Sequence, residues 1–308
     1  MPRGLVLLMM VNQDGTETMG VRLARGILDV ARASARLSLP SPLSLDELLM
    51  KGHVADLHHL VSMALREGET SFFLEESGIT HGRLFACPGK IICVVLNYIR
   101  HAPELGLDPP RVPPLFNKYN NALAPHQGTV RLPRSDLSIK VDYETELLVV
   151  MGRTARNVRE EEALNHVAGY CTAHDLSARD LQLELPGGQW MIGKTLDGFA
   201  PVGPYFVSAD LVPDPNHLQI ETRVNGEIRQ SSNTQDFIFS VQQIIAYISR
   251  HWTLEPGDLI FTGTPEGVIQ GYPKDHQVWL KPGDEVMSLV EGLGELRFRL
   301  VAGEDSGA

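Results

Sequence analysis

Two glutamates one residue apart, Glu144 and Glu146, stand immediately before the apolar run Leu147–Met151. If this segment is extended, the side chains at positions i and i+2 leave the same face of the strand. Two carboxylates on one face repel each other unless a cation lies between them, and oxygen ligands of this kind suit Mg²⁺, Mn²⁺ or Ca²⁺. Taken alone, such a pair is more typical of a solvated strand face, so a metal site needs further support from the sequence.

A second polar cluster, from His174 to Gln182, follows the largely apolar segment Val167–Cys171, which we expect to be buried. Polar groups beside a core must be hydrogen-bonded, bound to a metal or functional, because burying them unpaired is costly. The cluster therefore favours a functional role for the carboxylates in this half of the chain.

The elements that must position these residues are mainly strands. The chain has 308 residues, of which 43% are hydrophobic and 21% charged, as in ordinary globular proteins. Short apolar runs bounded by turn residues predict strands at Ile91–Leu96, Leu147–Met151, Tyr205–Val207, Leu218–Val224, Leu259–Phe261 and Val286–Val290. Helical periodicity is clearest at Val54–Arg66, Glu160–Val167 and Ser240–Ser249. We therefore predict an α+β protein that is mainly β, without the strict alternation of a parallel sheet.

We predict two domains, a small N-terminal unit at residues 1–85 and a catalytic domain at residues 86–308. The N-terminal unit shows several apolar stretches broken by polar turns and no catalytic constellation. Its first apolar run, Leu5–Val11, is too short to cross a membrane and lacks a small-residue cleavage site, so we interpret it as a strand.

Charge and cysteine content limit the expected partners and location. The formal net charge is −11 and no block of Lys or Arg occurs, so neither nucleic acid nor a membrane surface is an expected partner. The sequence also lacks the Gly-rich phosphate loop and the basic groove typical of phosphatases and nucleases. The three cysteines, Cys87, Cys93 and Cys171, show no metal-binding spacing, which predicts reduced thiols and a cytoplasmic location.

Five segments carry a resemblance to a known family. They read DYETEL, GYCTAHDLSARDLQ, QWMIGKTLDGFAPVGP, VNGEIRQSSNT and TLEPGDLIFTGTPEGV. In this order, they resemble the successive motifs of the fumarylacetoacetate hydrolase family. The resemblance implies a mixed β-roll or distorted barrel after a small N-terminal α+β domain, with the active site at the mouth of the roll. It also implies a homodimer and a small oxo-acid substrate.

The resemblance assigns a metal site and a lysine near it. The family's metal ligands fall on Glu144, Glu146 and Asp175, a carboxylate set that suits Mg²⁺ or Mn²⁺, while Ca²⁺ is a further possibility in a crystal. The family's lysine near the metal falls on Lys194, where an ammonium group would stabilise an enolate as negative charge develops.

The resemblance also assigns a base and a set of substrate contacts. His101 and Glu104 match the family's His/Glu pair, in which the carboxylate orients an imidazole that acts as a general base toward water. The substrate-binding positions fall on Tyr98, Lys118, Arg179, Gln182 and Thr264.

Three positions leave alternatives open. Arg179 could bind the substrate carboxylate or form a structural ion pair with Asp142 or Asp180. Many relatives have Asn where this chain has His174, so this histidine either adds a pH-sensitive group or replaces one hydrogen-bonding group, and we favour the second. Segment 117–126 matches the family only loosely, because Ala124-Pro125 stands where the family has Gly-Pro.

The implied chemistry passes through an enolate at C3 of an α-keto acid chelated by the metal. We predict a hydrolase in which activated water attacks the distal carbonyl of a β-diketo acid and cleaves a C–C bond, because both His101 and Glu104 are retained. Isomerisation of 2-hydroxymuconate-type diacids and decarboxylation of oxaloacetate use the same enolate and remain alternatives. A noncatalytic binding protein on the same fold is a further alternative, although every expected polar position is filled.

Overall fold

The computed structural model describes residues 1–67 and 70–303. The strands in these ranges are β1 Val6–Val11, β2 Glu17–Leu23, β3 Gly26–Asp29, β4 Phe73–Leu74, β5 Ile91–Val94, β6 Leu115–Lys118, β7 Leu123–Ala124, β8 Thr129–Arg131, β9 Val141–Asp142, β10 Thr145–Met151, β11 Val167–His174, β12 Ser177–Ala178, β13 Ala200–Pro201, β14 Phe206–Ser208, β15 Gln219–Val224, β16 Glu227–Asn233, β17 Leu259–Phe261, β18 Glu285–Val290 and β19 Gly294–Val301. The α-helices are α1 Val30–Leu37, α2 Leu45–Lys51, α3 Val54–Arg66, α4 His101–Glu104, α5 Glu160–Ala163, α6 Trp190–Lys194 and α7 Val241–His251.

The larger sheet has ten strands in the order β4-β3-β2-β1-β14-β11-β10-β17-β5-β6. Every residue of β10 and β11 is buried, because these strands lie at the centre of the sheet and are covered on both faces. Such strands appear in a sequence as continuous apolar runs rather than as alternating patterns. The pairing of β1 with β14 joins the N-terminal strands to this sheet. The division at residue 85 therefore separates segments that share one sheet, and it stays a prediction.

A second sheet has five strands in the order β16-β15-β18-β19-β8. Its strands β15 and β18 alternate between buried and more exposed residues, as expected of a sheet with one covered face. The covered face contacts β10 and β11 of the larger sheet. Buried polar side chains, Thr222 on β15 and Ser288 on β18, lie on this face and need partners. The second sheet therefore packs against the strands that carry the predicted metal ligands.

The helices follow the sequence patterns to different degrees. Helix α3 spans the predicted window, and α7 begins after a capping box in which Ser240 and Gln243 bond each other's backbone N–H groups. The predicted helix at Glu160–Val167 is shorter, because Leu164–His166 form a 3₁₀ turn and Val167 already belongs to the buried strand β11. Helix α1 was not predicted, since it is short and buries only Val30 and Ala33.

The α+β class with a mainly β body is confirmed, and the six predicted strands agree with the observed ones to within two residues at each end. In residues 1–67 and 70–303 both main sheets are open at their edges and no closed barrel is formed. Cys93 and Cys171 are buried free thiols and Cys87 is an exposed one. No helix in the described ranges combines the length and the apolar character needed to cross a membrane.

Candidate metal and acid–base site

Three carboxylates meet where β10 and β11 lie side by side. Glu144 immediately precedes β10, Glu146 lies within it, and Asp175 immediately follows β11. The antiparallel register places Thr145 opposite His174, which brings the residues on either side together. One oxygen from each carboxylate lies within 4.8 Å of the others, and all three side chains are buried. The structure thus brings the three predicted ligands into one cluster.

Buried cations surround this cluster. The Lys194 ammonium lies 2.7 Å from Oε2 of Glu144 and 2.8 Å from Oδ2 of Asp175. Arg179 Nη2 lies 2.5 Å from Oε1 of Glu144, and Lys118 Nζ lies 2.6 Å from Oδ1 of Asp175. Although burial raises the pKa of Glu144, Lys194 and Arg179 hold it well below its usual range. Although burial lowers the pKa of Lys194, Asp175 and Glu144 hold it above the usual value.

Glu146 is the carboxyl group of the cluster that lacks a cationic partner in the described residues. Over the described ranges it forms no ion pair, and its Oε2 accepts one hydrogen bond, from the Gly263 N–H at 2.7 Å. Burial, followed by repulsion from Asp175 and Glu144, raises its pKa well above the usual value. In addition, Oδ1 of Asp175 is buried and, despite its ion pair, has no hydrogen bond of acceptable angle. An unpaired carboxylate and an unsatisfied oxygen in an all-oxygen set fit a hard divalent cation.

The predicted His/Glu pair is formed on the short helix α4. Nδ1 of His101 lies 3.0 Å from Oε2 of Glu104, and the Gly267 N–H donates to Oε1 of Glu104 at 2.8 Å. A carboxylate accepts here only if Nδ1 carries the proton, so the neutral ring holds its lone pair on Nε2. A Cβ at Gly271 would lie 2.3 Å from the Glu104 carboxyl carbon, so only glycine leaves room for this carboxylate. His101 thus has the tautomer of a general base.

A cavity of about 120 Å³ lies between the carboxylate cluster and His101. Its polar lining includes the site residues His101, Glu144, Glu146, Arg179, Gln182, Lys194 and Thr264. Its apolar lining includes Leu105, Leu107, Phe116, Leu183 and Trp190. The cavity therefore has a charged floor and an apolar wall, and the apolar wall was not found from the sequence because its residues come from three separate segments.

Arg179 forms the ion pair that the sequence left as an alternative. Its Nε donates to Oδ2 of Asp142 at 2.9 Å, while Nη1 donates to Gln182 and Nη2 to Glu144. Asp142 also accepts the backbone N–H groups of Ile269 and Gln270, which explains why the DYETEL motif begins with a buried aspartate. Asp180 is bonded elsewhere, to Ser138. Substrate binding by Arg179 stays a prediction.

Two predicted substrate contacts lie away from the cavity lining. The Lys118 ammonium is wholly buried and bonds the backbone carbonyls of Lys194 and Phe199 as well as Asp175. Tyr98 is wholly buried in the apolar core, with its ring 4.8 Å from that of Phe237. The structure therefore gives Lys118 a bracing role and places Tyr98 in packing, and substrate contact by either residue stays a prediction. The sequence motif carried no signal for this difference.

Thr264 and Gln182 line the cavity, and substrate contact by either residue stays a prediction. Thr264 Oγ1 donates to the Thr145 carbonyl at 2.9 Å and accepts from Gln230 Nε2 at 2.9 Å. Gln230 is a buried residue that sequence reasoning missed, although it stands in the VNGEIRQSSNT motif. Its Oε1 accepts from the Thr145 N–H at 3.1 Å, so it braces the segment between the two glutamates.

The structure favours a hydrogen-bonding role for His174 over a pH-sensitive one. It is wholly buried, and burial lowers its pKa to about 3, so it stays neutral over the physiological range. Nε2 accepts the Glu144 N–H at 3.0 Å, and Nδ1 lies 2.8 Å from Ser288 Oγ.

Comparison with known proteins supports the resemblance drawn from the motifs. Residues 90–301 match the family model described as fumarylacetoacetate hydrolase, C-terminal. A relative from Xenopus laevis, named as a mitochondrial oxaloacetate tautomerase, is 43% identical over 68% of this chain. The match covers 64% of that relative, so this chain corresponds to slightly less than two thirds of its length.

Solved structures show the same architecture. A fumarylacetoacetate hydrolase from Exiguobacterium antarcticum is 32% identical, covers 97% of this chain and 100% of its own, and superposes with a TM-score of 0.77. A fumarylpyruvate hydrolase from Pseudomonas aeruginosa, solved with Mn²⁺ and pyruvate, is 38% identical, covers 69% of this chain and 89% of its own, and has a TM-score of 0.62. The similar proteins are thus enzymes, and that hydrolase holds a divalent metal with a small oxo-acid.

The predicted cytoplasmic location is wrong on this comparison. Curated relatives with 42–43% identity are named as mitochondrial proteins. Reduced cysteines and the absence of an apparent cleavage site could not distinguish the two compartments, because both observations are compatible with either.

Proposed function

Because this chain belongs to the fumarylacetoacetate hydrolase family, we propose that it is a divalent-metal-dependent enzyme that transfers a proton at C3 of a small 2-oxo acid, as an oxaloacetate tautomerase does. One observation carries the proposal: a single cavity is lined by two of the clustered carboxylates, a buried ammonium group and His101, whose Nδ1 lies 3.0 Å from Glu104. The relatives named as oxaloacetate tautomerases support this choice of reaction over the hydrolysis expected first.

The metal would be held by Glu144, Glu146 and Asp175. This oxygen set suits Mg²⁺ or Mn²⁺, and Ca²⁺ accepts the same ligands. Mn²⁺ in the fumarylpyruvate hydrolase supports the proposal. When bound, the cation supplies Lewis-acid polarisation of the 2-oxo group.

Proton transfer would be carried by His101 and Lys194. In the keto-to-enol direction, Nε2 of His101 takes the proton from C3, and the C–H electron pair becomes the C2–C3 double bond. Negative charge develops on the 2-oxo oxygen, to which the Lys194 ammonium can donate a hydrogen bond. Protonation of that oxygen by solvent completes the enol. In the reverse direction the enol proton leaves the oxygen and His101 returns a proton to C3.

C–C bond hydrolysis is the second candidate, because the cavity also has an apolar wall. Leu105, Leu107, Phe116 and Trp190 could accommodate an uncharged acyl group. His101 would then take a proton from water, whose oxygen attacks the distal carbonyl of an acylpyruvate. Cleavage of the C–C bond would release the acid and the enol of pyruvate.

The test is an assay of purified protein with Mg²⁺ or Mn²⁺, with and without a chelator. Enol-oxaloacetate and a series of acylpyruvates are followed by ultraviolet absorbance and by mass spectrometry. Accelerated loss of the enol without release of pyruvate supports the tautomerase. Pyruvate with a free acid, obtained from acylpyruvates, selects the hydrolase; pyruvate with CO₂, obtained from oxaloacetate, selects the decarboxylase. Lack of chelator-sensitive turnover of every compound rejects the proposal.

The assembly and the domain division belong to the same proposal. We expect a homodimer, which light scattering would detect as about twice the chain mass of 34.0 kDa. We also retain residues 1–85 as an N-terminal unit, because the family match begins at residue 90.

A further inference from the structure

The backbone of Glu144 is held from both sides by the residues that follow β11. Its N–H donates to Nε2 of His174 at 3.0 Å, and its carbonyl accepts the Asp175 N–H at 2.8 Å. Glu144 precedes the first residue of β10, so these two contacts take the place of regular strand pairing at this position. The direction in which the Glu144 side chain leaves the backbone therefore depends on His174.

His174 is itself anchored to the second sheet. Because Nε2 accepts a backbone N–H, the ring proton is on Nδ1, which lies 2.8 Å from Ser288 Oγ on β18. The edge of the ring meets Phe298 on β19 at a centroid distance of 5.1 Å. Thr145 Oγ1 also donates to Ser288 Oγ at 2.8 Å. Two hydrogen bonds and one ring contact thus fix the imidazole between the two sheets.

His174 does not line the cavity. It is wholly buried, and its two ring nitrogens are occupied by the contacts described above. It therefore cannot contact a substrate, and any effect of this residue on the site must act through Glu144 or Asp175.

We propose that His174 is a positioning residue for the metal site: it links the backbone of Glu144 to Ser288 on the second sheet, and so fixes the carboxylates of Glu144 and Asp175 for metal binding. The inference rests on the proposed function, because it takes Glu144 and Asp175 as metal ligands. Partners that orient metal ligands contribute to affinity although they do not touch the metal. On this basis metal affinity depends on a residue that faces neither metal nor substrate.

The experiment compares two substitutions at this position. His174→Leu removes both nitrogens, whereas His174→Gln keeps an amide that is three bonds from Cβ, as Nε2 is, and that can accept the Glu144 N–H. Mn²⁺ affinity is measured by titration calorimetry, and the geometry of bound Mn²⁺ by electron paramagnetic resonance. We expect His174→Leu to weaken Mn²⁺ binding about 10–100-fold, the usual scale for such partners, and His174→Gln to restore most of the loss.

His126→Leu is the matched control. His126 is also a buried histidine that accepts a backbone N–H, from Arg297 at 3.1 Å, and burial lowers its pKa to about 3 as well. It does not line the cavity. We expect this variant to lose thermal stability while keeping the Mn²⁺ affinity and resonance spectrum of the wild type.

The outcomes separate this inference from the proposed function. Equal Mn²⁺ affinities in the wild type and His174→Leu, or an equal loss in His126→Leu, overturn the positioning role and leave the metal site standing. Absence of Mn²⁺ binding by the wild type overturns both. If His174→Leu does not fold, Ser288→Ala replaces it, because it removes the hydroxyl that orients the ring; unchanged affinity and an unchanged spectrum in that variant then overturn the role.

Discussion

Glu146→Gln should weaken metal binding strongly and at the same time stabilise the metal-free protein. Gln keeps the size of the side chain and an oxygen for the Gly263 N–H, which donates to Glu146 at 2.7 Å. It removes the one carboxylate of the cluster that forms no ion pair in the described residues and whose pKa is raised by burial and by Asp175 and Glu144. Removing an uncompensated buried group of this kind is worth about 1–3 kcal/mol. The loss of an anionic ligand should weaken Mn²⁺ binding by more than about 100-fold, beyond the scale of outer partners.

The raised pKa of Glu146 also predicts how the stability of the metal-free protein changes with pH. A carboxyl whose pKa is raised on folding contributes stability that is fully present below its unfolded pKa, near 4.5, and that is lost as the pH rises through the folded value. The melting temperature of the metal-free wild type should therefore fall relative to Glu146→Gln as the pH is raised from about 4.5. Thermal melts of both proteins with EDTA across this range, and titration with Mn²⁺ near neutral pH, measure the two effects.

Glu285→Gln is the control, because Glu285 is exposed and pairs with Arg299 on the surface. It should change neither the melting temperature nor the Mn²⁺ affinity. A Glu146→Gln protein that melts below the wild type at neutral pH in EDTA, or that binds Mn²⁺ normally, would refute the assignment of Glu146 as the uncompensated carboxyl group of the metal site.

Three further predictions concern the cations, the base and the metal. His101→Ala should keep the wild-type Mn²⁺ affinity and lose about 10²–10⁴-fold in turnover, since only the general base is removed; full activity would exclude that role. Lys118→Met should destabilise the protein by about 3–5 kcal/mol in urea titrations, because it breaks a buried ion pair with Asp175. The partly exposed pair of Lys90 with Asp258 provides the control, where Lys90→Met should cost much less. Mn²⁺ affinity should rise with pH in calorimetry, because the metal competes with the proton on Glu146; a pH-independent affinity would contradict this.

The sequence identified those parts of the site that depend on local pattern. Glu144 and Glu146 stand at i and i+2 beside a buried strand, and this spacing alone brings both carboxylates to one cluster. The family motifs placed Asp175 and the His101–Glu104 pair with them. The central strands were recognisable because burial on both faces produces continuous apolar runs.

What the sequence did not predict depends on contacts between distant segments. The sequence did not show that the Lys118 ammonium is enclosed by carbonyls from residues 76 and 81 positions away, and substrate contact by Lys118 stays a prediction. Arg179 bonds both Asp142 and Glu144. The spacing of these residues in the sequence did not show which carboxylates Arg179 would contact. The N-terminal strands read as a separate unit, because the pairing of β1 with β14 has no local signature. Such long-range pairings are set by tertiary packing rather than by residue type.

The His/Glu pair can be tested without changing either of its members. Gly271→Ala would place a Cβ 2.3 Å from the Glu104 carboxyl carbon, and the flexible end of that side chain must then move away from its bonds to His101 and Gly267. Because the atom displaced is the far end of a side chain, the fold should persist while the imidazole loses its orienting partner. We expect turnover to fall by about 10²-fold, which is the lower end of the range for loss of a general base. The Mn²⁺ affinity should be unchanged.

Gly78→Ala is the matched control for this substitution. A Cβ at Gly78 meets no atom within 4 Å, so the same chemical change should leave turnover and thermal stability as in the wild type. If Gly271→Ala retains full activity although its Glu104 carboxylate is shown crystallographically to have moved, then orientation of His101 by Glu104 does not contribute to catalysis. The bond from Gly267 would then serve only to anchor α4. A loss of activity in Gly271→Ala that is matched by loss of Mn²⁺ binding would instead place the effect at the carboxylate cluster.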